Sequence, residues 1–205
     1  YSDHDIFIRE LVSNGCDAVT KLKKLSVMGE FEEADDEKYK VEVRINPTDK
    51  TLTFIDNGIG MTEDEVDEYI NQIAFSGAAA FMEQYKDKAS DEQIIGHFGL
   101  GFYSAFMVAK EVTVRSKAYG SDQAYEWISE GAEGYQIGPC AKDNVGTEII
   151  LTLKDNTDDE NYDEFLEQYR IQTLIKKYSD YIRFPIKMDM TKSRLKEGTE
   201  SEYED

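Results

Sequence analysis

Four polar side chains lie on one stripe of the helix that the apolar spacing predicts over residues 5–26. At about 100° per residue they fall within a sector of roughly 60°, and they are Glu10, Asn14, Asp17 and Lys21. A ladder of ion pairs and hydrogen bonds on a solvated face is one explanation. Asn14 favours another, because asparagine is a poor helix former whereas its amide oxygen can bind Mg²⁺, which prefers oxygen and accompanies phosphate. The stripe therefore indicates either a salt-bridge ladder or a metal and phosphate site.

An acid ends the apolar face of a predicted strand. Leu52, Phe54 and Asp56 share one face of the strand over 51–57, because side chains alternate with a period of two. Gly58 and Gly60 follow directly. An ordinary strand-to-helix turn would use the same residue types. The functional alternative is a buried carboxylate that accepts from the exocyclic amine of a base, beside glycines that let backbone and water approach closely.

A glycine-rich run, GHFGLGF over residues 96–102, leads into an apolar stretch that ends at residue 108. Its order is not the G-x-G-x-x-G of dinucleotide-binding folds, and the sequence has no Gly-Lys pair, which a Walker P-loop requires. Two explanations remain: a flexible hinge, or a turn that feeds a helix N-terminus able to hold an anion such as a triphosphate. A fourth motif, Gly146-Thr147, by itself indicates only the start of a strand.

The elements that would carry these residues alternate along the chain. The patterns predict a helix over 5–26, strands over 40–46 and 51–57 around a turn at Pro47, and a helix that starts at Thr62, where Glu65 completes a capping box. Further elements are predicted as strands over 111–117, 124–130, 147–153 and 184–190, and as a helix over 163–181. We therefore expect a two-layer α/β sandwich with a largely antiparallel sheet.

The composition fits one folded domain with a strong acid excess. Of the 205 residues, 40% are hydrophobic, and 23 basic against 43 acidic side chains give a formal net charge of −20. This charge opposes nucleic acid and anionic lipid, so we expect neither nucleic acid nor a membrane as a partner. Two cysteines do not form a disulfide scaffold, and we expect a reducing, cytoplasmic location. One domain is expected over residues 1–190, followed over 191–205 by an acidic tail or the start of a linker.

Together the four motifs resemble, in the same order, those of the GHKL ATPases. The sequence around these motifs is similar to the heat shock protein 90 family and especially to its bacterial members. The similar segments include IFIRELVSN, DNGIGMT and IGHFGLGFYSAFMVA. The similarity covers residues 1–190 and corresponds to the N-terminal nucleotide-binding domain of that family. It implies a Bergerat fold, in which helices cover one face of a mixed, largely antiparallel sheet. It also implies an ATPase that couples ATP binding to conformational change in a chaperone.

The resemblance implies a role for each motif residue. Glu10 would be the general base that activates the attacking water, Asn14 would bind Mg²⁺ and phosphate, and Asp56 would accept from the adenine amino group. A larger set would contact ATP or ADP: Asn14, Asp17, Lys21, Asp56, Gly60, Met61, Gly99, Leu100, Gly101, Phe102 and Thr147. Residues from about 71 to 99 would form a lid over the nucleotide.

The chain departs from the family pattern at the lid and at its start. Phe75 stands where many members have a lysine, and Tyr69 where many have an asparagine that lines the pocket. The family's first strand, which is exchanged between protomers in the closed dimer, is missing before Tyr1. We therefore expect a homodimer for the longer protein and a mostly monomeric fragment. Client proteins are expected to bind through domains outside it.

Two alternatives share the fold: the ATP-binding domain of a histidine kinase and one of the MutL or topoisomerase type. An alternative of another class is a nucleotide-binding module that is inactive alone. Glu10 favours hydrolysis over phosphoryl transfer to histidine, because an acid in the first motif can activate water. We expect hydrolysis to be weak in the isolated domain, since in the family an arginine from the next domain assists at the γ-phosphate.

Overall fold

Helices and strands alternate along the chain, as the sequence patterns predict. The computed structural model describes residues 5–27, 39–68, 102–131, 134–178, 186–188, 194–195 and 203–204. Its α-helices are α1 (Ile6–Val27), α2 (Glu63–Val66) and α3 (Gln168–Tyr178). Two 3₁₀ helices span Phe102–Met107 and Tyr162–Leu166. The strands are β1 (Val41–Asn46), β2 (Thr51–Asp56), β3 (Ala109–Lys117), β4 (Ala124–Ser129), β5 (Tyr135–Cys140), β6 (Gly146–Leu153), β7 (Ile186–Met188), β8 (Arg194–Leu195) and β9 (Tyr203–Glu204).

Seven of the strands form one mixed sheet in the order β5-β4-β3-β6-β2-β1-β7. Neighbours are antiparallel except β1 and β7, which run parallel. The register of β2 on β6 places Asp56 opposite Thr147, and the register of β3 on β6 places Ser116 opposite the same threonine. The sheet thus brings the ends of three strands together at one point. Outside this sheet, β8 and β9 pair with each other.

The core lies between the helices and one face of the sheet. Phe7 on α1 is fully buried, and its ring meets Phe54 of β2 and Phe165 edge to face, with centroids 6.3 and 5.1 Å apart. Because Phe165 lies in the 3₁₀ turn before α3, and α3 also contacts α1, the helices cover the same face. Along β2 the buried residues alternate with half-buried ones, as a sheet covered on one side requires. The predicted two-layer α/β sandwich is confirmed.

One predicted helix needs correction, and two elements were not predicted. The helix predicted over 163–181 is divided, because Glu167 adopts extended angles (φ −88°, ψ 119°) between the 3₁₀ turn and α3. The apolar stretch after the glycine-rich run begins as a 3₁₀ helix. Strand β5 was not predicted, because Gly138 and Pro139 interrupt it and it shows no apolar alternation. Proline is tolerated there because β5 lies at the edge of the sheet.

No helix in the described ranges has the length and apolar character needed to cross a bilayer.

Candidate functional site

A cavity of about 750 Å³ lies where α1 faces the ends of β2, β3 and β6. Its volume is within the range of small-molecule and cofactor pockets. Seven of the residues singled out from the sequence line it: Asn14, Asp17, Lys21, Asp56, Gly60, Met61 and Thr147. Three of the four sequence motifs, far apart along the chain, therefore meet at one concave site.

Asp56 is a buried acid in the cavity wall, with 8% of its surface exposed. Burial raises the pKa of its carboxyl from 3.8 to about 7. A backbone hydrogen bond from Gly58, the charge of Lys142 and a backbone hydrogen bond from Thr147 partly oppose this rise. The Gly58 amide donates to Oδ1 at 2.9 Å. The predicted buried carboxylate is present, and its remaining acceptor capacity is available to a ligand that donates.

The loop after Asp56 is held tightly between α1 and β3. The Ile59 amide donates to the carbonyl of Ala18 at 3.0 Å, and the Ile59 carbonyl accepts from the Tyr119 amide at 2.8 Å. A Cβ on Gly58 would collide with the backbone of Ala18. Gly60 has a φ of +69°, which side chains rarely adopt, and a Cβ there would meet the carbonyl of Lys117. The lack of a side chain at Gly58 and Gly60 thus allows the loop to pack closely against α1 and β3.

One serine hydroxyl joins the loop to the sheet. Ser116 is fully buried near the end of β3, and its Oγ accepts from the Met61 amide at 2.8 Å. The same atom lies 2.8 Å from the Thr147 hydroxyl and 3.2 Å from the Gly146 carbonyl. Met61 and Thr147 both line the cavity, and both are therefore held by Ser116, which does not line it.

The polar stripe of α1 forms the opposite side of the cavity. Asn14 is half-buried, whereas Asp17 and Lys21 are exposed. Among the described residues no ion pair joins Asp17 to Lys21, so the salt-bridge ladder does not account for this part of the stripe. Together the three side chains line one cavity with an amide, a carboxylate and an ammonium group.

Two predicted site residues lie elsewhere in the described structure. Glu10 is half-buried and forms an ion pair with Arg9 at 3.0 Å, and it is not among the residues that line the cavity. Phe102 is buried in the core, where its ring packs against Phe106 and Trp127. The remaining predictions fall outside the described residues, namely Gly99, Leu100 and Gly101, the lid over 71–99, and the departures at Tyr69 and Phe75.

Several lining residues were missed by sequence reasoning, although some had a signal. Ile149 lies two residues after Thr147 on the same strand face, so period two would have found it. Glu65 was recognised only as the partner of the Thr62 helix cap, and that capping box is confirmed. Tyr119 lines the cavity from the turn after β3, where no sequence pattern indicates a site.

The residues that line the cavity form two chemically different groups. In the first, Asp56 and Thr147 offer hydrogen-bonding oxygens beside the apolar side chains of Met61 and Ile149, which suits a flat base with a polar edge. The second is the α1 stripe, which has Asn14 as its half-buried member and suits a charged group with an accompanying cation.

Comparison with known proteins agrees with this geometry. Residues 2–142 match the family model described as histidine kinase-, DNA gyrase B-, and HSP90-like ATPase, and residues 164–205 match the model described as Hsp90 protein. Over all 205 residues the chain is 51% identical to the chaperone protein HtpG of Bacillus velezensis and 53% identical to that of Halalkalibacterium halodurans. It is 50% identical over the same length to the HtpG of Clostridium perfringens. The chain spans about a third (33%) of the length of these relatives.

Proposed function

We infer the function of this chain from its family, because it belongs to the histidine kinase-, DNA gyrase B- and HSP90-like ATPases and, within them, to the HSP90 family. We propose that it binds ATP and ADP in the cavity between α1 and the sheet and hydrolyses ATP. We further propose that this ATPase drives conformational change in an HtpG-like chaperone that acts on client proteins.

The observation that carries the proposal is the buried Asp56 carboxylate in the cavity wall, opposite Thr147. An acid that lacks solvent needs donors, and the protein supplies backbone amides such as that of Gly58. An exocyclic amine of adenine would supply a further donor at this point. A pocket built around an acceptor in an apolar wall recognises a base that donates there.

The residues of the α1 stripe fit the other part of the nucleotide. Asn14 offers an amide oxygen of the kind that Mg²⁺ prefers, and Lys21 offers a positive charge for phosphate. In the described residues no group of three His, Cys, Asp or Glu side chains could hold a metal ion. We therefore propose that phosphate oxygens complete the coordination of Mg²⁺ beside Asn14. Bound Mg²⁺ would neutralise charge on the phosphates and orient them.

We propose Glu10 as the general base for hydrolysis. As a water oxygen forms a bond to the γ-phosphorus, the bond from that phosphorus to the β,γ-bridging oxygen would break and release ADP. A carboxylate oxygen of Glu10 would take one proton of that water. Glu10 is paired with Arg9 and does not line the cavity, so this ion pair must loosen for Glu10 to reach a water there. We also propose that Gly99, Leu100, Gly101 and the backbone of Phe102 contact phosphate.

The assembly and location follow from the same family. We propose that the longer protein is a homodimer that binds clients through other domains, and that it works in the cytoplasm. Both cysteines, Cys16 and Cys140, are free thiols, as a reducing compartment would keep them.

Calorimetric titration with ADP and ATP, with and without Mg²⁺, tests the proposal. Asp56→Asn should lose about 1.5–3 kcal/mol or more of binding free energy, because an amide can turn a donor toward the donor of the base. Asp155→Asn, which changes an exposed acid beyond the far end of β6, should bind as the parent does. Unchanged ADP affinity in Asp56→Asn, with the fold intact by circular dichroism, would show that the base does not bind at this acid.

A further inference from the structure

Ser116 does not line the cavity, but it contacts two residues that do. The Ser116 side chain has none of its surface exposed, so water cannot satisfy its hydroxyl. Its Oγ has three polar neighbours within hydrogen-bond distance: the Met61 amide at 2.8 Å, the Thr147 hydroxyl at 2.8 Å and the Gly146 carbonyl at 3.2 Å.

Counting protons assigns the direction of each bond. A serine hydroxyl has one proton to donate and two lone pairs that accept. The Met61 amide can only donate, and it takes one lone pair of Ser116. The Gly146 carbonyl can only accept, so the hydrogen bond at 3.2 Å uses the Ser116 proton, and we assign that proton to this bond rather than to the Thr147 hydroxyl. One lone pair then remains, and only the proton of the Thr147 hydroxyl can use it.

We infer that Ser116 is a positioning residue that holds the Thr147 proton inside the wall, so that the Thr147 hydroxyl faces the cavity as an acceptor only. Thr147 lies directly opposite Asp56, whose carboxylate is also an acceptor only when it is ionised. Where both acceptors face position 6 of a purine, they favour the donating amine of a 6-aminopurine over the accepting oxo group of a 6-oxopurine. This inference rests on the proposed nucleotide site and concerns the base specificity of that site.

Removing the Ser116 hydroxyl should weaken this selection. The Thr147 proton would lose its partner in the wall and could turn to donate to a 6-oxo group. The probes are ADP and inosine diphosphate, which differ at that position of the base, and the readout is the ratio of their dissociation constants. We expect Ser116→Ala to reduce the preference for ADP about five- to tenfold, the value of one neutral hydrogen bond.

Three further variants separate positioning from simple destabilisation. Ser116→Cys retains the volume but bonds weakly, so the preference should fall as in Ser116→Ala. Ser116→Thr retains a hydroxyl and should keep the preference. Ser129→Ala is the matched control, because Ser129 is equally buried in β4, accepts from the Gly131 amide at 3.0 Å and donates to the Gly134 carbonyl at 2.9 Å. It is not among the cavity-lining residues, so the ratio should not change.

The effect must also pass through Thr147. In a Thr147→Val background, the ratio should be the same with Ser116 and with Ser116→Ala, since no hydroxyl proton is left to redirect. If Ser116→Ala and Ser116→Cys weaken both diphosphates equally, the inference is wrong and the serine only supports the wall, while the proposed nucleotide site stands. If the parent chain binds neither diphosphate, the proposed function and the inference both fail.

Discussion

Burial shifts the pKa of Asp56 strongly, and this shift affects the stability of the chain. Burial raises its pKa to about 7 in the folded chain, whereas the same carboxyl titrates near its ordinary value of 3.8 when unfolded. Between about pH 4 and pH 7 the folded state therefore holds a proton that the unfolded state has lost. The stability contributed by this group is complete below pH 4 and is lost as the pH rises to about 7.

The nucleotide-free chain should show this loss when compared with Asp56→Asn. We expect the free energy of unfolding of the parent to fall, relative to the variant, by about 1.4 kcal/mol per pH unit within the window, and to level off above it. Urea denaturation at pH 5, 6, 7 and 8 measures the difference, in which the titration of the other acids cancels. A difference that does not vary with pH would mean that Asp56 titrates normally.

At the residue scale, substitution of Glu10 tests nucleotide binding and catalysis separately. Glu10→Ala should leave ATP affinity within a few-fold of the parent. In the longer protein it should reduce hydrolysis about 10²- to 10⁴-fold, because a general base acts on the rate and contributes little to ground-state binding. Single-turnover hydrolysis measures the rate. Glu42→Ala is a suitable control, since Glu42 is also a half-buried acid paired with an arginine, Arg44, at 3.1 Å. Equal rates in Glu10→Ala and the parent would leave Glu10 as a partner of Arg9 only.

At the scale of elements, the loop after β2 can pack against α1 because Gly58 has no side chain. Gly58→Ala would push a methyl group into the backbone of Ala18 and strain the Ile59 hydrogen bond to that helix. We expect a loss of about 2–3 kcal/mol of stability, which is typical of overpacking at a rigid contact. ADP affinity should fall as well, because the loop carries Asp56 at its start.

Gly138→Ala provides the comparison for that variant, because a Cβ at Gly138 in the edge strand β5 would meet nothing within 4 Å. Its stability should change by less than about 1 kcal/mol in the same urea titration. A Gly58→Ala chain as stable as Gly138→Ala would show that the loop and α1 can separate at low cost.

At the scale of the whole molecule, an ion pair joins α3 to the residue that precedes α1. Arg170 on α3 donates to both carboxylate oxygens of Asp5, at 2.9 and 3.0 Å, and Asp5 is only 2% exposed. The pair joins the start of α1 to α3 across 165 residues of chain. Because α1 carries one side of the cavity, this contact also supports the site.

Arg170→Met should leave the Asp5 carboxylate buried without its partner. We expect a loss of about 2 kcal/mol, less than for a fully buried pair because the arginine is partly exposed. Asp5→Asn combined with Arg170→Met should recover part of that loss in thermal or urea unfolding. If the double variant is destabilised by the sum of the single losses, the two residues do not interact across the core.

Much of the architecture could be predicted because its causes are local. The helical repeat of α1, the alternation of Leu52 and Phe54 in β2, and the capping box at Thr62 each depend on residues within a few positions of one another. The departures also have local causes that the patterns do not encode. Glu167 breaks a long amphipathic run by adopting extended angles, and β5 forms by pairing with β4 despite Pro139.

The sequence by itself determined most of the elements, the motif residues and the family, because periodicity, caps and motif order depend on residues close together in the chain. Only the tertiary structure decided how deeply Asp56 is buried, and therefore the rise in its pKa. It also brought Ser116 to Met61, 55 residues away, and to Thr147, 31 residues away. These properties depend on strand register and on the exclusion of water between elements, and neither exists until the sheet and α1 have packed together.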